Sequence, residues 1–474
     1  MSRVKIVVTL GPRTDTNTTI RALAEAGADV ARLNGSHGSL TWHAAAIAHI
    51  RAAAPQMPIL FDLPGGKIRT GALEHEPTFC VGDQLVLTGD ERHDGRVKVP
   101  VSHPQLHEAL ASGATILADD GQLRFTVQRI QGEDIICRAE TAGTLRSHKG
   151  IHVSTLEPTA MPVTPRDRAM LQFAKEQAVD FVGVSFVERA EQIEAIRSLI
   201  GGASPRIIAK IETQRALEQL TSLLDFSDGL MIDRGDLSID AGLHHVAILQ
   251  KQMLKAARQA GRPAIVATEM LHSMISSPTP TKAEVSDISN AVLDGAAAVM
   301  LSGETAIGKF PVEAVATMRR IADTASSHLQ SLLDDDAAQE PCSIPQAIED
   351  AIALICRRLP VTKIVAVTAK GYAARVVAAR SPRQPILAVS HDPATARSFQ
   401  LLPGTEGIAV DIPFSRTSVD HIPKCLEALW RCGKLKDEDL VLVTAVGYPR
   451  SGNRMNLIQT HHIADLRDSL GWTR

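Results

Sequence analysis

Eight short apolar runs lie between residues 4 and 305, and nearly all of them end on polar or charged residues. They are Lys5–Thr9, Asp29–Leu33, Ile59–Asp62, Phe181–Ser185, Ile207–Ile211, Gly229–Ile232, Ala264–Thr268 and Ala298–Leu301. Most are continuously apolar, as parallel strands covered on both faces must be. Helical spacing fills the intervals. Ile20, Leu23 and Ala24 mark one face after the first run, and Gly27 stops it; Ile193, Ile196, Leu199 and Ile200 do the same after the fourth, before Gly201-Gly202. Strand–helix alternation of this kind predicts an eight-stranded (β/α)8 barrel, with its chemistry at the carboxyl ends of the strands.

At 474 residues the chain exceeds what one core supports. One interval breaks the barrel rhythm: more than a hundred residues separate the third run from the fourth. Here apolar and polar residues alternate, at Gln84–Leu87, Val97–Val99, Leu123–Val127 and Asp134–Arg138, with turns at Asp94-Gly95 and Asp120-Gly121. Residues 72–163 are therefore expected to form a β-rich insertion that can close over the barrel rim as a lid, leaving 1–71 and 164–328 as the barrel. Residues 329–344 are polar and acidic and read as a linker. Beyond them apolar runs at Ile364–Val367, Ile386–Val389 and Leu440–Val443 restore the βα pattern, so 345–474 form an open-sheet α/β domain.

Composition excludes some functions. A net charge of -3 gives no general attraction to nucleic acid, and 3% aromatics supply no base-stacking platform. No run approaches 18 apolar residues, so no membrane partner is expected. The six cysteines include no Cys-x-x-Cys pair and read as free thiols of a reducing cytoplasm, and the first strand follows the amino terminus with no signal-like segment.

Several strand ends carry chemistry. Lys210 and Glu212 share a parity, so both side chains point to one side, and Asp236 lies just past the next strand. Two carboxylates from adjacent strand ends suit Mg²⁺ or Mn²⁺; a salt-bridge cluster closing the barrel is the other reading. Arg32 and Asn34 lead into Gly35-Ser36-His37-Gly38, which suits either a phosphate or a capped turn. Asp62-Leu63-Pro64-Gly65-Gly66-Lys67-Ile68-Arg69 offers a second anion contact or a solvated hinge. Thr268 and Ser302 place hydroxyls where a proton can pass, or where they simply bond nearby backbone. His37, His148 and His272 lack metal-ligand spacing.

Taken in order, Thr9-Leu10-Gly11-Pro12, Arg32–Gly38, Ala209-Lys210-Ile211-Glu212, Arg234-Gly235-Asp236-Leu237, Val266–Leu271, Glu284-Val285-Ser286-Asp287 and Leu301–Ala306 resemble the pyruvate kinases over essentially the whole chain. The resemblance implies phosphoryl transfer from phosphoenolpyruvate to ADP, giving pyruvate and ATP, the last step of glycolysis. It implies Glu212 and Asp236 as ligands of Mg²⁺ (or Mn²⁺), with Lys210 and Arg32 on the phosphoryl group. The backbone N–H groups of Gly235 and Asp236 would receive the substrate carboxylate, and Thr268 with Ser302 and a water would protonate the enolate carbon. Nucleotide contacts would come from Pro12, His37 and Arg69, and from Asp119, Asp120 and Lys149 of the lid. A cytoplasmic, allosteric homotetramer is likewise implied. An aldolase or lyase working through a pyruvate enolate, and a non-catalytic relative that binds phosphorylated ligands, are the alternatives.

The chain also departs from that family. Lys67 stands where most members have glutamate and need K⁺ near the residues matching Asn34, Ser36, Asp62 and Leu63; the subset with lysine works without K⁺, which is the expectation here. Asp233, Ser238, Glu269, His272, Ala297 and Ile307 are further substitutions. The segment Thr368–Ala373 lacks the small hydroxyls of the family's sugar-phosphate loop, which argues against activation by fructose 1,6-bisphosphate, although Lys370 and Arg450 leave room for another anion.

Overall fold

The computed structural model describes residues 4–119, 121–153, 163–333, 344–415, 418–446 and 455–473, excepting the side chains of 330–333 and 344–346. The eight apolar runs form parallel strands: Lys5–Thr9, Val30–Asn34, Ile59–Leu63, Phe181–Val184, Arg206–Ile211, Gly229–Asp233, Ala264–Ala267 and Ala298–Leu301. Each pairs with its neighbours in chain order, and the first pairs with the last, so the ring is closed. Strand ends differ from the expected ones by a residue or so. The expected helices occupy Asn17–Glu25 and Ala190–Ile200; Thr16 caps the first with a reciprocal capping box, and Gly201 ends the second in the left-handed region.

Side-chain parity divides the barrel interior into layers. The lower layer is apolar: Val7, Val30, Leu60, Phe181, Ile208, Met231, Ile265 and Ala298 form one buried cluster. Two residues further along their strands, Thr9, Arg32, Asp62, Lys210 and Asp233 carry the same parity and are all buried. The barrel therefore has an oil-filled body under an ionic upper layer. Outward-facing residues such as Ile6, Val8, Leu33, Ile59 and Ile211 pack against the surrounding helices in a separate, larger core.

The inserted region forms a seven-stranded, mostly antiparallel sheet with its own core around Leu87, Phe125 and Cys137. Its edge strand is Ile68–Arg69, which pairs with Gly150–Ile151 and draws the hinge into the lid upstream of residue 72. A bridge between Thr70 and Val101 brings the sheet's two edges together and curls it towards closure. The strands Thr115–Ala118 and Gly150–His152 were not anticipated, because each is too short to show a period of two.

The expected linker starts later than residue 329, because the helix Pro311–Leu333 continues through it. Residues 334–343 lie outside the described residues. The last region is a five-stranded sheet in the order Thr405–Ala409, Ile386–Ser390, Lys363–Val367, Leu440–Ala445, Leu457–His462, the final strand antiparallel. Three of its strands match apolar runs in the sequence. The two edge strands do not, since edges need little apolar surface: Leu457–His462 has no buried residue. Among the described cysteines, Cys80, Cys137, Cys356, Cys425 and Cys432 are free thiols. No helix among the described residues is long and apolar enough to cross a membrane.

Candidate active site

The upper ionic layer centres on Lys210, whose side chain is only 7% exposed. Its Nζ lies 2.7 Å from Glu212 Oε1, 3.2 Å from Asp233 Oδ2 and 3.8 Å from Asp62 Oδ2, and donates to Ser185 Oγ at 3.1 Å. Burial alone would push this ammonium towards neutrality, but the Glu212, Asp233 and Asp62 carboxylates outweigh it and hold its pKa above the ordinary value. Lys210 is therefore a permanent cation in a dry place.

Arg32 is held opposite. Its Nε donates to Asp62 Oδ2 at 2.8 Å, a second nitrogen lies 2.7 Å from the same oxygen, and Nη1 donates to Thr9 Oγ1 at 3.0 Å. Asp62 thus fixes the guanidinium and lies within reach of Lys210. Asp62 Oδ1 is buried without a hydrogen bond and lies so close to the Gly183 backbone that a Cβ there would be 2.0 Å away.

Three carboxylates meet beside the lysine. Oxygens of Glu212, Asp233 and Asp236 all lie within 4.8 Å of one another. Glu212 Oε2 accepts from the Phe186 N–H at 2.6 Å, while Oε1 is buried without a hydrogen bond of ordinary geometry, even with Lys210 beside it. Burial, with Asp233 and Asp236 adding to it, pushes the Glu212 carboxyl up against the pull of Lys210. Burial also works against ionised Asp233, but Lys210 and Arg32 overcome it and hold that carboxyl low. A crowd of hard oxygens, balanced here by lysine ammonium groups, is the donor set that a divalent cation such as Mg²⁺ or Mn²⁺ fits. Asp236 in turn pairs with Lys67, whose Nζ also stands 5.8 Å from the centre of the Phe186 ring.

The helix Arg234–Ala241 begins at this cluster. Arg234 anchors its first turn by pairing with Asp287 at 2.7 Å and donating to the Thr268 carbonyl at 2.7 Å. The Gly235 N–H, expected to face a substrate carboxylate, donates here to Thr268 Oγ1 at 2.9 Å. Thr268 and Glu269 both hold positive φ, 71° and 54°, so the end of the seventh strand carries backbone strain directly under that contact. Ser302 sits at the end of the eighth strand and engages Glu304 and Thr305 through its backbone; among the described residues no hydrogen bond joins it to Thr268.

The expected nucleotide-side residues form a second, cationic group. Burial, then the Arg69, Arg32, His148 and Arg166 charges, depress the His37 imidazolium, which places these groups in one field. Arg69 donates to the His148 carbonyl at 3.0 Å, and Lys149 pairs with Asp119 at 2.6 Å. Pro12 is exposed on the loop after the first strand. Asp120 and Arg450 lie outside the described residues. Of the expected monovalent-cation residues, Asn34 Oδ1 accepts from the Ser36 N–H at 3.1 Å, and Asn34 stands in register with Asp62, next to Leu63. Among the described residues no ion pair joins Lys67 to Asp62; the Lys67 ammonium goes to Asp236 instead.

A cavity of about 490 Å³ opens between the lid and the rim, bounded among others by Lys67, Ser185, Phe186, Asp236, His152 and Asp240. Its wall does not extend to Arg32, His37 or Thr268. Ser185, Phe186 and Thr9 were missed as site residues. The polar end of the fourth strand was the available signal for Ser185, whereas the roles of Phe186 and Thr9 depend on contacts with the neighbouring strand, distant in sequence.

A closed parallel barrel with cations and metal-type carboxylates at its carboxyl rim, a lid and a trailing α/β domain defines a class of barrel enzymes handling anionic substrates. A family model described as the pyruvate kinase barrel domain matches residues 1–315, and one described as the pyruvate kinase alpha/beta domain matches residues 346–461. Pyruvate kinase 2 of Synechocystis sp. is 38% identical over 455 residues, covering 94% of this chain and 76% of the relative. The pyruvate kinase of Bacillus licheniformis is 35% identical over 479 residues, covering 98% and 81%, and one from Agrobacterium vitis is 36% identical over 464 residues, covering 96% and 97%. The chain belongs to the pyruvate kinase family.

Proposed function

We propose that the protein transfers the phosphoryl group of phosphoenolpyruvate to ADP. The observation that carries this reading is Lys210, a buried ammonium poised between the Arg32–Asp62 pair and three carboxylates. A phosphoryl group in flight spreads negative charge over its equatorial oxygens, and fixed cations in a dry site stabilise that charge most. In this reading Arg32 holds the phosphate and Lys210 follows it as the bond to the enol oxygen breaks and a bond to a β-phosphate oxygen of ADP forms. Glu212 and Asp236 hold the divalent cation, and when bound it neutralises charge on the substrate carboxylate and on the oxygen that the phosphoryl group leaves. The Gly235 and Asp236 N–H groups bind the substrate carboxylate, which requires Thr268 Oγ1 to release Gly235. Thr268, with Ser302 across a water, then delivers the proton that converts the enol carbon into the methyl group of pyruvate.

ADP lies along Pro12, His37 and Arg69 on the barrel side, with Asp119, Asp120 and Lys149 approaching from the lid. The cationic field around His37 supports this side for the polyphosphate. The chain also works without added K⁺, since Lys67 brings a fixed positive charge to the metal-side carboxylates. The same reading makes it a cytoplasmic homotetramer under allosteric control, which sedimentation velocity and effector titration check.

A coupled assay with Mg²⁺, ADP and phosphoenolpyruvate, following both pyruvate and ATP, tests the reaction. Lys210→Met is expected to lower turnover by about 10³-fold or more, as loss of a charge-stabilising donor does, with the fold intact by circular dichroism. Full turnover in that variant overturns the role given to Lys210. An enolate-based lyase would release pyruvate without making ATP. Equal rates in K⁺ and in a tetraalkylammonium salt are expected; strong K⁺ activation rejects the role given to Lys67.

A further inference from the structure

Asp233 sits at the end of the sixth strand and at the N-cap of the helix Arg234–Ala241. Aspartate at an N-cap ordinarily accepts from the backbone N–H two or three residues on. Here Asp233 makes no such bond. The Gly235 N–H goes instead to Thr268 Oγ1, at 2.9 Å. Asp233 is turned into the barrel, sharing parity with Met231 of the buried lower layer. Oδ2 lies 3.2 Å from Lys210, and among the described residues neither oxygen accepts a hydrogen bond from the helix it begins.

Its position is shared with Glu212 and Asp236, whose oxygens lie within 4.8 Å of those of Asp233 and of each other. Glu212 is 1% exposed, and its Oε1, in the middle of this group, has no hydrogen bond of ordinary geometry and only the Lys210 ammonium 2.7 Å away. Two ammonium groups, Lys210 and Lys67, now occupy the three carboxylates. A dication with oxygen ligands offers each carboxylate more charge than a shared lysine does, and frees Lys210 for the substrate phosphate.

We propose that Asp233 is a third carboxylate ligand of the divalent cation, so that this chain binds the ion through Glu212, Asp233 and Asp236 before any substrate arrives. The proposal rests on the reading of Glu212 and Asp236 as metal ligands. Its consequence is a site that is tighter for the ion alone than a two-carboxylate site, because affinity for hard cations grows with ligand charge.

Mn²⁺ binding to the full chain, measured by electron paramagnetic resonance titration without phosphoenolpyruvate or nucleotide, tests this. Wild type should bind one ion at the site, and Glu212→Gln should abolish that binding. Asp233→Ala should weaken it by about ten- to a hundred-fold, and Asp233→Asn, which keeps the shape and one oxygen, by less. Affinity within twofold of wild type in Asp233→Ala overturns the inference while leaving the metal pair standing. No binding in wild type, or no loss in Glu212→Gln, overturns the metal pair and the inference together. An Mn²⁺-soaked wild-type crystal decides ligation without any variant. An ion at about 2.1 Å from an Asp233 oxygen supports it. An ion held by Glu212 and Asp236 with Asp233 still on Lys210 reduces Asp233 to a counter-ion and overturns it.

Discussion

Gly183 decides whether the ionic layer can form at all. Asp62 Oδ1 occupies the space where any other residue would carry its Cβ, 2.0 Å away, and Asp62 is what holds Arg32 in place. Gly183→Ala is expected to cost about 1–3 kcal/mol in urea unfolding, the usual penalty for an overpacked site, and to lower kcat by displacing Arg32. Unchanged stability and unchanged turnover would show that Asp62 can move freely. At this scale the sequence was legible where one strand was enough: Lys210 and Glu212 share a parity, and both face inward. It was opaque where partners meet between neighbouring strands. Asp233 stood out as an added carboxylate beside Arg234, where the family usually has alanine, with a bearing on metal affinity or the carboxylate pocket, but nothing in its local sequence says that it turns from its own helix towards a lysine on the adjacent strand. Ser185 and Thr9 were hidden for the same reason, since their contacts to Lys210 and Arg32 join side chains of neighbouring strands that are far apart in sequence.

The elements most readable in advance were the barrel strands and their helices, because burial on both faces writes itself as continuous apolar runs. Edge strands such as Leu457–His462 and short lid strands such as Gly150–His152 carry too little apolar surface to leave that mark. The last of these also holds the lid against the rim. His152 Nε2 lies 3.1 Å from Asp240 Oδ1 on the helix Arg234–Ala241, and the other Asp240 oxygen accepts from the Gln214 N–H at 2.5 Å. Burial opposes the Asp240 charge, but His152 and the Gln214 N–H prevail and hold its carboxyl below the ordinary 3.8. A depressed carboxyl contributes above its unfolded value and loses that contribution only as pH falls through the folded value, so Asp240 is charged throughout neutral pH. Asp240→Asn is expected to raise the KM for ADP by about two- to five-fold, the scale of one partly exposed hydrogen bond, with a smaller change in kcat. An unchanged KM would show that this contact does not govern the lid.

Across the whole molecule, the barrel floor is closed by the trailing α/β region. Leu401 joins the apolar cluster inside the barrel, Lys5 Nζ donates to the Thr405 carbonyl at 2.9 Å, and Arg397 Nε donates to Asp180 Oδ1 at 2.7 Å. Asp180 is fully buried and keeps Arg51 as its other cation, 3.3 Å away. Arg397→Ala is expected to destabilise the chain by about 1–3 kcal/mol, the scale of a hydrogen bond to a buried charge, and denaturant unfolding measures it. No loss would mean that the two regions are joined by apolar contact alone. A single apolar layer separates this floor from the reactive rim, so a shift below has a short path to Lys210. The rim has its own mechanical link. Lys67 stands on the short stretch joining the third barrel strand to the lid sheet, yet its charge rests on Asp236. A lid motion of the kind the insertion is expected to make would tug that charge off its partner or press it home. Admission of a divalent ion at Asp236 and the posture of the flap would then be geared to one another, as a key and a door share one latch.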